Sequence, residues 1–238
     1  VGGFLTGGTE AGWNLEAGFG GRFDQPGLLP VALGVLLAAL SMVATGLNTV
    51  VTAHLCRRTP GAGHASILIS ASLVSGALTL AASALLAVVM ALALADRIFG
   101  LSVFAPLGGG DPQLFASLFR VFLAPAVAAM MVLACGLVLQ RLAERSGGTA
   151  PARAVAAVLV LLGVAGALGW GGALSAGLSL AGLLLSVVLA LQLLKRGVAS
   201  VDAPLVYGIG FLVMAVQAQG AAWLEAMPAG GAPLATTT

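Results

Sequence analysis

The sequence predicts an all-α fold, a polytopic membrane bundle of six transmembrane helices, and three observations carry that expectation. Hydrophobic residues occupy 60% of the 238 positions and charged residues only 8%, with a mean hydropathy of +1.10. A soluble domain has about a quarter of its residues charged and covers its surface with them, which this chain cannot do. Charge-free stretches of span length recur along the whole sequence. The basic residues between them gather in alternate connections. Disorder is excluded because disordered chains are polar and charge-rich. The 34 glycines follow no three-residue period, which excludes collagen.

A membrane helix needs about 20 apolar residues without charge, so the spans can be read directly. Residues 1–26 form an N-terminal segment, and the six-span domain fills 27–225. Its first span is 27–53 and its second 65–95, long enough to tilt. The third, 121–139, runs between Arg120 and Gln140-Arg141. Residues 154–194 hold no charge over twice the length of one span. The cluster Gly169, Gly171, Gly172 and Gly177 marks a turn there, splitting the stretch into 154–170 and 176–194. The sixth span is 203–224, followed by a tail over 226–238.

One set of connections holds Arg57, Arg58, Arg141, Arg145, Arg153, Lys195 and Arg196, the other Arg22, Arg97 and Arg120. The positive-inside rule puts the first set in the cytoplasm and both visible termini outside. A single re-entrant element over 154–194 would move the C-terminus to the other side. The chain begins at Val1 rather than Met, so residues were removed ahead of it or lie outside the sequence. No signal peptide is visible. Gly163, Ala167 and Gly171 recur every four residues and predict a helix-packing seam. Trp13, Trp170 and Trp223 fall near span ends, where an indole N–H stays wet.

Ionisable side chains within spans are costly and mark proton relays, voltage sensors and paths for charged substrates. No Asp, Glu, Lys, Arg or His falls within any of the six spans, which argues against all three. The net charge of +2, thinly spread, gives no nucleic-acid footprint. Cys56, in the loop after the first span, and Cys135, inside the third, form no CxxC pair and read as ordinary thiols. His54 and His64 have only Cys56 nearby, short of the three or four ligands a metal needs. Asn48, Gln192, Gln217 and Gln219 are the main polar groups at or inside spans. Interhelical hydrogen bonding accounts for them. Contact with a quinone carbonyl is the alternative for Gln192, Gln217 and Gln219, although Gln217 and Gln219, two apart, do not share a helix face. Gly108-Gly-Gly-Asp-Pro112 lacks the spacing and lysine of a phosphate loop. Asp111 there reads as a helix N-cap with Pro112 at the first helical position.

The run Asp96-Arg-Ile-Phe-Gly-Leu-Ser-Val-Phe-Ala-Pro-Leu-Gly-Gly-Gly-Asp-Pro-Gln-Leu-Phe-Ala-Ser-Leu-Phe119 resembles the loop before the copper-binding helix of heme-copper oxidase subunit I. Upstream Gly46-Leu-Asn-Thr-Val-Val-Thr52 and downstream Pro204-Leu-Val-Tyr-Gly-Ile-Gly-Phe211 are similar to that family in the same order. The resemblance implies the fourth to ninth of the family's twelve helices and puts the glycine-rich loop outside, in agreement with the charge count. The departures fall at the metal centre. The family's copper-ligand His, with its Pro-Glu-Val-Tyr, corresponds to Ala124-Pro-Ala-Val-Ala128. Its paired copper-ligand histidines correspond to Gly172 and Ala173, after Trp170. The helices bearing heme ligands lie outside the resemblance, and the family's proton-uptake lysine has no counterpart in the corresponding span.

The resemblance therefore implies a truncated, degenerate member without redox centres: not an enzyme, with no catalytic residue, no metal and no directly bound cofactor. The expected role is a non-catalytic accessory subunit of a bacterial electron-transfer complex, respiratory or photosynthetic, in the inner membrane. It would pack against other integral subunits and lipids and brace them. The alternatives are an element that binds or passes quinone or lipid, and half of a split oxidase subunit I. A stand-alone transporter or channel ranks last, since no pore-lining charge is present.

Overall fold

The computed structural model describes residues 27–58, 66–104, 109–147, 150–168, 172–197 and 203–227. The segment 1–26 with Trp13, His64, Gly169, Trp170, Gly171 and the tail from Pro228 lie outside the described residues. Six helices account for nearly all of the rest: α1 Leu28–Arg58, α2 Ser66–Phe99, α3 Pro112–Arg145, α4 Ala152–Ala167, α5 Ala173–Lys195 and α6 Ala203–Ala226. No strand occurs among the described residues. Leu, Ala and Val fill the interiors, and Pro30, Pro112 and Pro204 stand in first turns, where a missing N–H costs no hydrogen bond. Pro125 alone interrupts an interior, removing one rung of the α3 ladder.

Five of the six helices are long and apolar enough to cross a membrane. The exception is α4, expected to span 154–170. Its 16 residues rise about 24 Å, short of the roughly 30 Å hydrocarbon layer. It stops at Ala167, just before the glycine cluster, and α5 starts on the far side behind Gly172 at φ 55°. Other helices overrun their expected spans. Arg57 and Arg58 suit the negative end of a helix dipole, so α1 continues through both. Cys56, expected in a loop, and His54 consequently sit exposed on the last turns of α1.

Successive helices run antiparallel. Gly46 of α1 meets Leu80 of α2 while Gly76 of α2 meets Thr49 of α1; Ala71 of α2 meets Gly136 of α3. Farther along, Ala128 of α3 meets Gly166 of α4, Leu162 of α4 meets Gly182 of α5, and Gly177 of α5 meets Trp223 of α6. This topology gathers Arg57, Arg141, Arg145, Arg153, Lys195 and Arg196 at one end of the bundle. Two buried clusters result. One joins α1 and α2 to the start of α3 through Met90, Phe104 and Phe115. The other joins α2 to α6 around Val132, Leu139, Leu162, Leu183 and Leu212.

The small-residue seam on α4 differs from the expected one. Ala167 is exposed and Gly171 is not described. The close approaches fall at Gly163, where a Cβ would lie 3.1 Å from Val74 Cγ1 of α2, and at Gly166 against Ala128. The face turned to α2 and α3 thus follows an i, i+3 step rather than i, i+4.

Interhelical hydrogen bonding is also carried elsewhere than expected. Asn48 is exposed, and its Oδ1 accepts from Thr52 Oγ1 at 3.4 Å on the same helix. One bond between helices comes from Ser75, buried on α2, whose hydroxyl donates to the Ala129 carbonyl of α3 at 2.8 Å. Replacing Ser75 by Ala is expected to cost about 0.6 to 1.7 kcal/mol. Equilibrium unfolding in bicelles would read that difference.

Candidate functional site

The positions that the resemblance singles out begin on α3, where Ala124, matched to a metal ligand, and Ala128, matched to the motif's Tyr, stand one turn apart around Pro125. With Val127 they form one wall of a cavity of about 180 Å³. Gly166 of α4 contributes a second wall, and Ser175 and Ser179 of α5 and Gln219 of α6 border the rest. The antiparallel topology explains the meeting: α4 ends, and α5 begins, at the level reached by α3 after its first three turns.

The residues at this position do not fit copper. Copper and its neighbours in the divalent series take imidazole, thiolate or thioether donors. Ala124, Gly172 and Ala173 have no side-chain donor atom. The cavity offers aliphatic groups, two hydroxyls, an amide and a single thioether, that of Met131, which alone does not make a copper site. Among the described residues, no three His, Cys, Asp or Glu side chains come together in a way that could hold a metal. Backbone packing takes part of the space as well, because a Cβ added at Gly166 would collide with the Ala128 methyl.

The three candidate glutamines separate. Gln192 is exposed in the last turn of α5, away from the Ser175 end, and Gln217 is exposed on α6. Gln219 is half-buried and borders the cavity. Sequence reasoning missed Ser175, Ser179 and Gly166. The first two follow a glycine-rich turn like any serine, and Gly166 lies off the four-residue repeat that drew attention to Gly163.

The glycine-rich loop has a defined architecture. Asp96, in the last turns of α2, is 4% exposed, and its carboxylate accepts from Val103 N at 2.6 Å and Phe104 N at 3.0 Å. The Val103 carbonyl in turn accepts from Asp111 N at 3.1 Å. Asp111 caps α3 as expected, accepting from Gln113 N at 2.9 Å, with Pro112 opening the helix. Phe104, fully buried, meets Phe115 edge-on at 5.7 Å, and Phe119 and Phe122 extend the aromatic row. Ser102 at φ 56° holds the left-handed turn between these anchors.

A family model described as cytochrome c and quinol oxidase polypeptide I matches residues 1–221. The chain belongs to that family. Curated members are similar to it over 56% of its length: a probable quinol oxidase subunit 1 of Staphylococcus epidermidis at 30% identity, and the cytochrome c oxidase subunit 1 of Bacillus subtilis at 32%. A probable quinol oxidase subunit 1 of Staphylococcus aureus is 30% identical over 137 residues. The chain matches about a fifth of the length of these relatives, 21% and 22% for the first two. Membership in this oxidase polypeptide I family and five apolar helices of spanning length make it a multi-pass membrane protein of the heme-copper oxidase type.

Proposed function

We propose that this chain is a non-catalytic integral subunit of a bacterial electron-transfer complex, a family member that keeps the scaffold and has given up the copper site. One observation carries the reading. Ala124 and Ala128 stand where the resemblance calls for a ligating and a polar side chain, and the cavity they border keeps one soft donor, the Met131 thioether, short of the ligand set a copper site needs. The retained work is mechanical: close helix seams dock neighbours, and the Asp96-anchored loop presents a fixed surface to a partner. The orientation that suits the cationic end of the bundle is inner membrane, with that end cytoplasmic and the glycine-rich loop periplasmic.

The test is mild-detergent purification of the tagged chain, with mass spectrometry of what accompanies it and metal analysis of the product. Membrane subunits in fixed ratio, with no copper bound to this chain, are expected. A chain that purifies alone, or copper held in a one-to-one ratio by this chain, would overturn the proposal. The split-oxidase alternative expects metal ligands on this chain, and Ala124, Gly172 and Ala173 offer none. A second reading, an element that binds quinone or lipid, draws support from Gln219 at the cavity.

A further inference from the structure

We propose that the lipid-facing seam of α1 around Asn48 docks a second copy of this chain, α1 against α1, in a parallel pair related by a two-fold axis along the membrane normal. The inference goes beyond the reading above and stands apart from the lining of the cavity. It starts from how α1 divides its surface. Ala32, Ala39, Gly46 and Ala53 are buried, and Gly46 meets Leu80 of α2. Leu33, Leu37, Leu40 and Leu47 are exposed and suit lipid tails. A third face holds Gly34, Ala38, Ser41, Thr45, Asn48 and Thr52, all exposed. Their steps alternate four and three, the average of about 3.5 that keeps one helix facing another along a left-handed crossing.

Small size alone would not define a contact, but Asn48 does. About 9 Å along the axis separates it from His54, the nearest ionisable residue on α1, so the amide lies in hydrocarbon. Thr45 meets its own need there, since its hydroxyl donates to the Ser41 carbonyl at 2.9 Å. Asn48 does not. Its Oδ1 accepts from Thr52 Oγ1 at 3.4 Å, and its Nδ2 has no partner among the described residues. A bare donor in hydrocarbon is costly, and a neighbouring helix that accepts from it removes the cost.

Orientation selects the second copy. Copies inserted under one charge rule share one orientation, so α1 meets α1 in parallel and Asn48 meets Asn48 at equal depth. The carboxamide is self-complementary, because each Nδ2 donates to the Oδ1 of the other. A different helix would need its own acceptor at that depth, whereas symmetry supplies one here. The ends of this sequence do not suit the seam. Residues 1–26 carry Glu10, Glu16, Arg22 and Asp24, and 228–238 would rise only about 16 Å as a helix.

Cys56 is a built-in reporter, exposed one turn past Thr52 on the same face, while Cys135 is buried. The experiment uses the full chain, in native membranes and in vesicles of phosphatidylethanolamine and phosphatidylglycerol. A short bismaleimide should join Cys56 of one copy to Cys56 of the other, and Cys56→Ser should remove the product. Förster transfer between labelled copies over a lipid dilution series reads the association constant. Asn48→Leu should lower it about tenfold, the size of two interhelical bonds in a membrane, and Asn48→Gln should keep most of it. Ser41→Leu, which thickens the seam, should abolish transfer, and Leu47→Ala, on the lipid face, should leave it unchanged. These side chains are exposed on the folded chain, and circular dichroism checks that helicity is intact in each variant.

Cross-linking and transfer of equal strength in the parent, Asn48→Leu and Ser41→Leu would mean random collision and would overturn the proposal. A Cys56 cross-link in native membranes to a different subunit in place of a second copy would overturn it as well. The scaffold reading fails separately. Other membrane subunits in fixed ratio with no self-association defeat only this inference, whereas a self-associated pair without any other subunit defeats the scaffold reading and upholds the pair.

Discussion

Replacing Asp96 by Ala is expected to destabilise the protein by about 3 kcal/mol, the cost of losing two hydrogen bonds to a buried carboxylate and leaving their donors bare. The carboxylate stands near the C-terminal end of α2, where the helix dipole disfavours negative charge. The bonds to Val103 N and Phe104 N, at 2.6 and 3.0 Å, compensate for that placement. They also fix the backbone on both sides of a consequence that matters beyond the loop: Phe104 must enter the interior to meet Phe115, and Ser102 must stay left-handed to aim it there. Asp96→Asn, which keeps an acceptor oxygen without the charge, should fall between the parent and Ala. Hydrogen exchange at the Val103 and Phe104 amides should accelerate in the same order. Equilibrium unfolding in bicelles measures the energy, and a loss below about 0.5 kcal/mol, the level of an ordinary surface substitution, would show that the loop is held by the aromatic row alone.

What was legible in the sequence depended on how local the cause was. Span positions follow from the absence of charge over some 20 residues, so α1, α2, α3, α5 and α6 could be placed without knowing their neighbours. The N-cap at Asp111 is equally local, since the Asp-Pro pair contains both the capping oxygen and the residue that starts the helix. Helix ends were less legible, because a charged residue does not stop a helix whose dipole it complements, and α1 and α3 run on through Arg57 and Arg145. The candidate site was legible only in part. The resemblance located Ala124, Gly172 and Ala173, yet the cavity needs α4, α5 and α6 to meet α3, and Ser179 has no sequence signal apart from that meeting. Gln219 was named together with Gln192 and Gln217, and only packing tells the three apart.

Packing is also what the second large prediction tests. Gly136→Leu is expected to cost about 3 kcal/mol or to prevent folding, because even a single Cβ at Gly136 would collide with the Ala71 methyl on α2. Gly166→Leu should be as damaging, since it drives α4 from the Ala128 methyl and closes the cavity from the same side. The comparison that separates packing from backbone effects uses glycines in the same helical environment with open space around them. Gly34 on α1 and Gly210 on α6 have nothing within 4 Å of an added Cβ. Gly34→Ala and Gly210→Ala should therefore be neutral or stabilise by up to about 1 kcal/mol through helix propensity. In a bilayer, lipid tails are as apolar as the helices, so close backbone contact supplies association that burial from water supplies elsewhere. Equal losses at Gly34, Gly136, Gly166 and Gly210 would mean that glycine acts here through the backbone rather than through helix spacing. A loss confined to Gly136 and Gly166 would establish that the distances between α2, α3 and α4 set both the stability of the bundle and the size of the cavity.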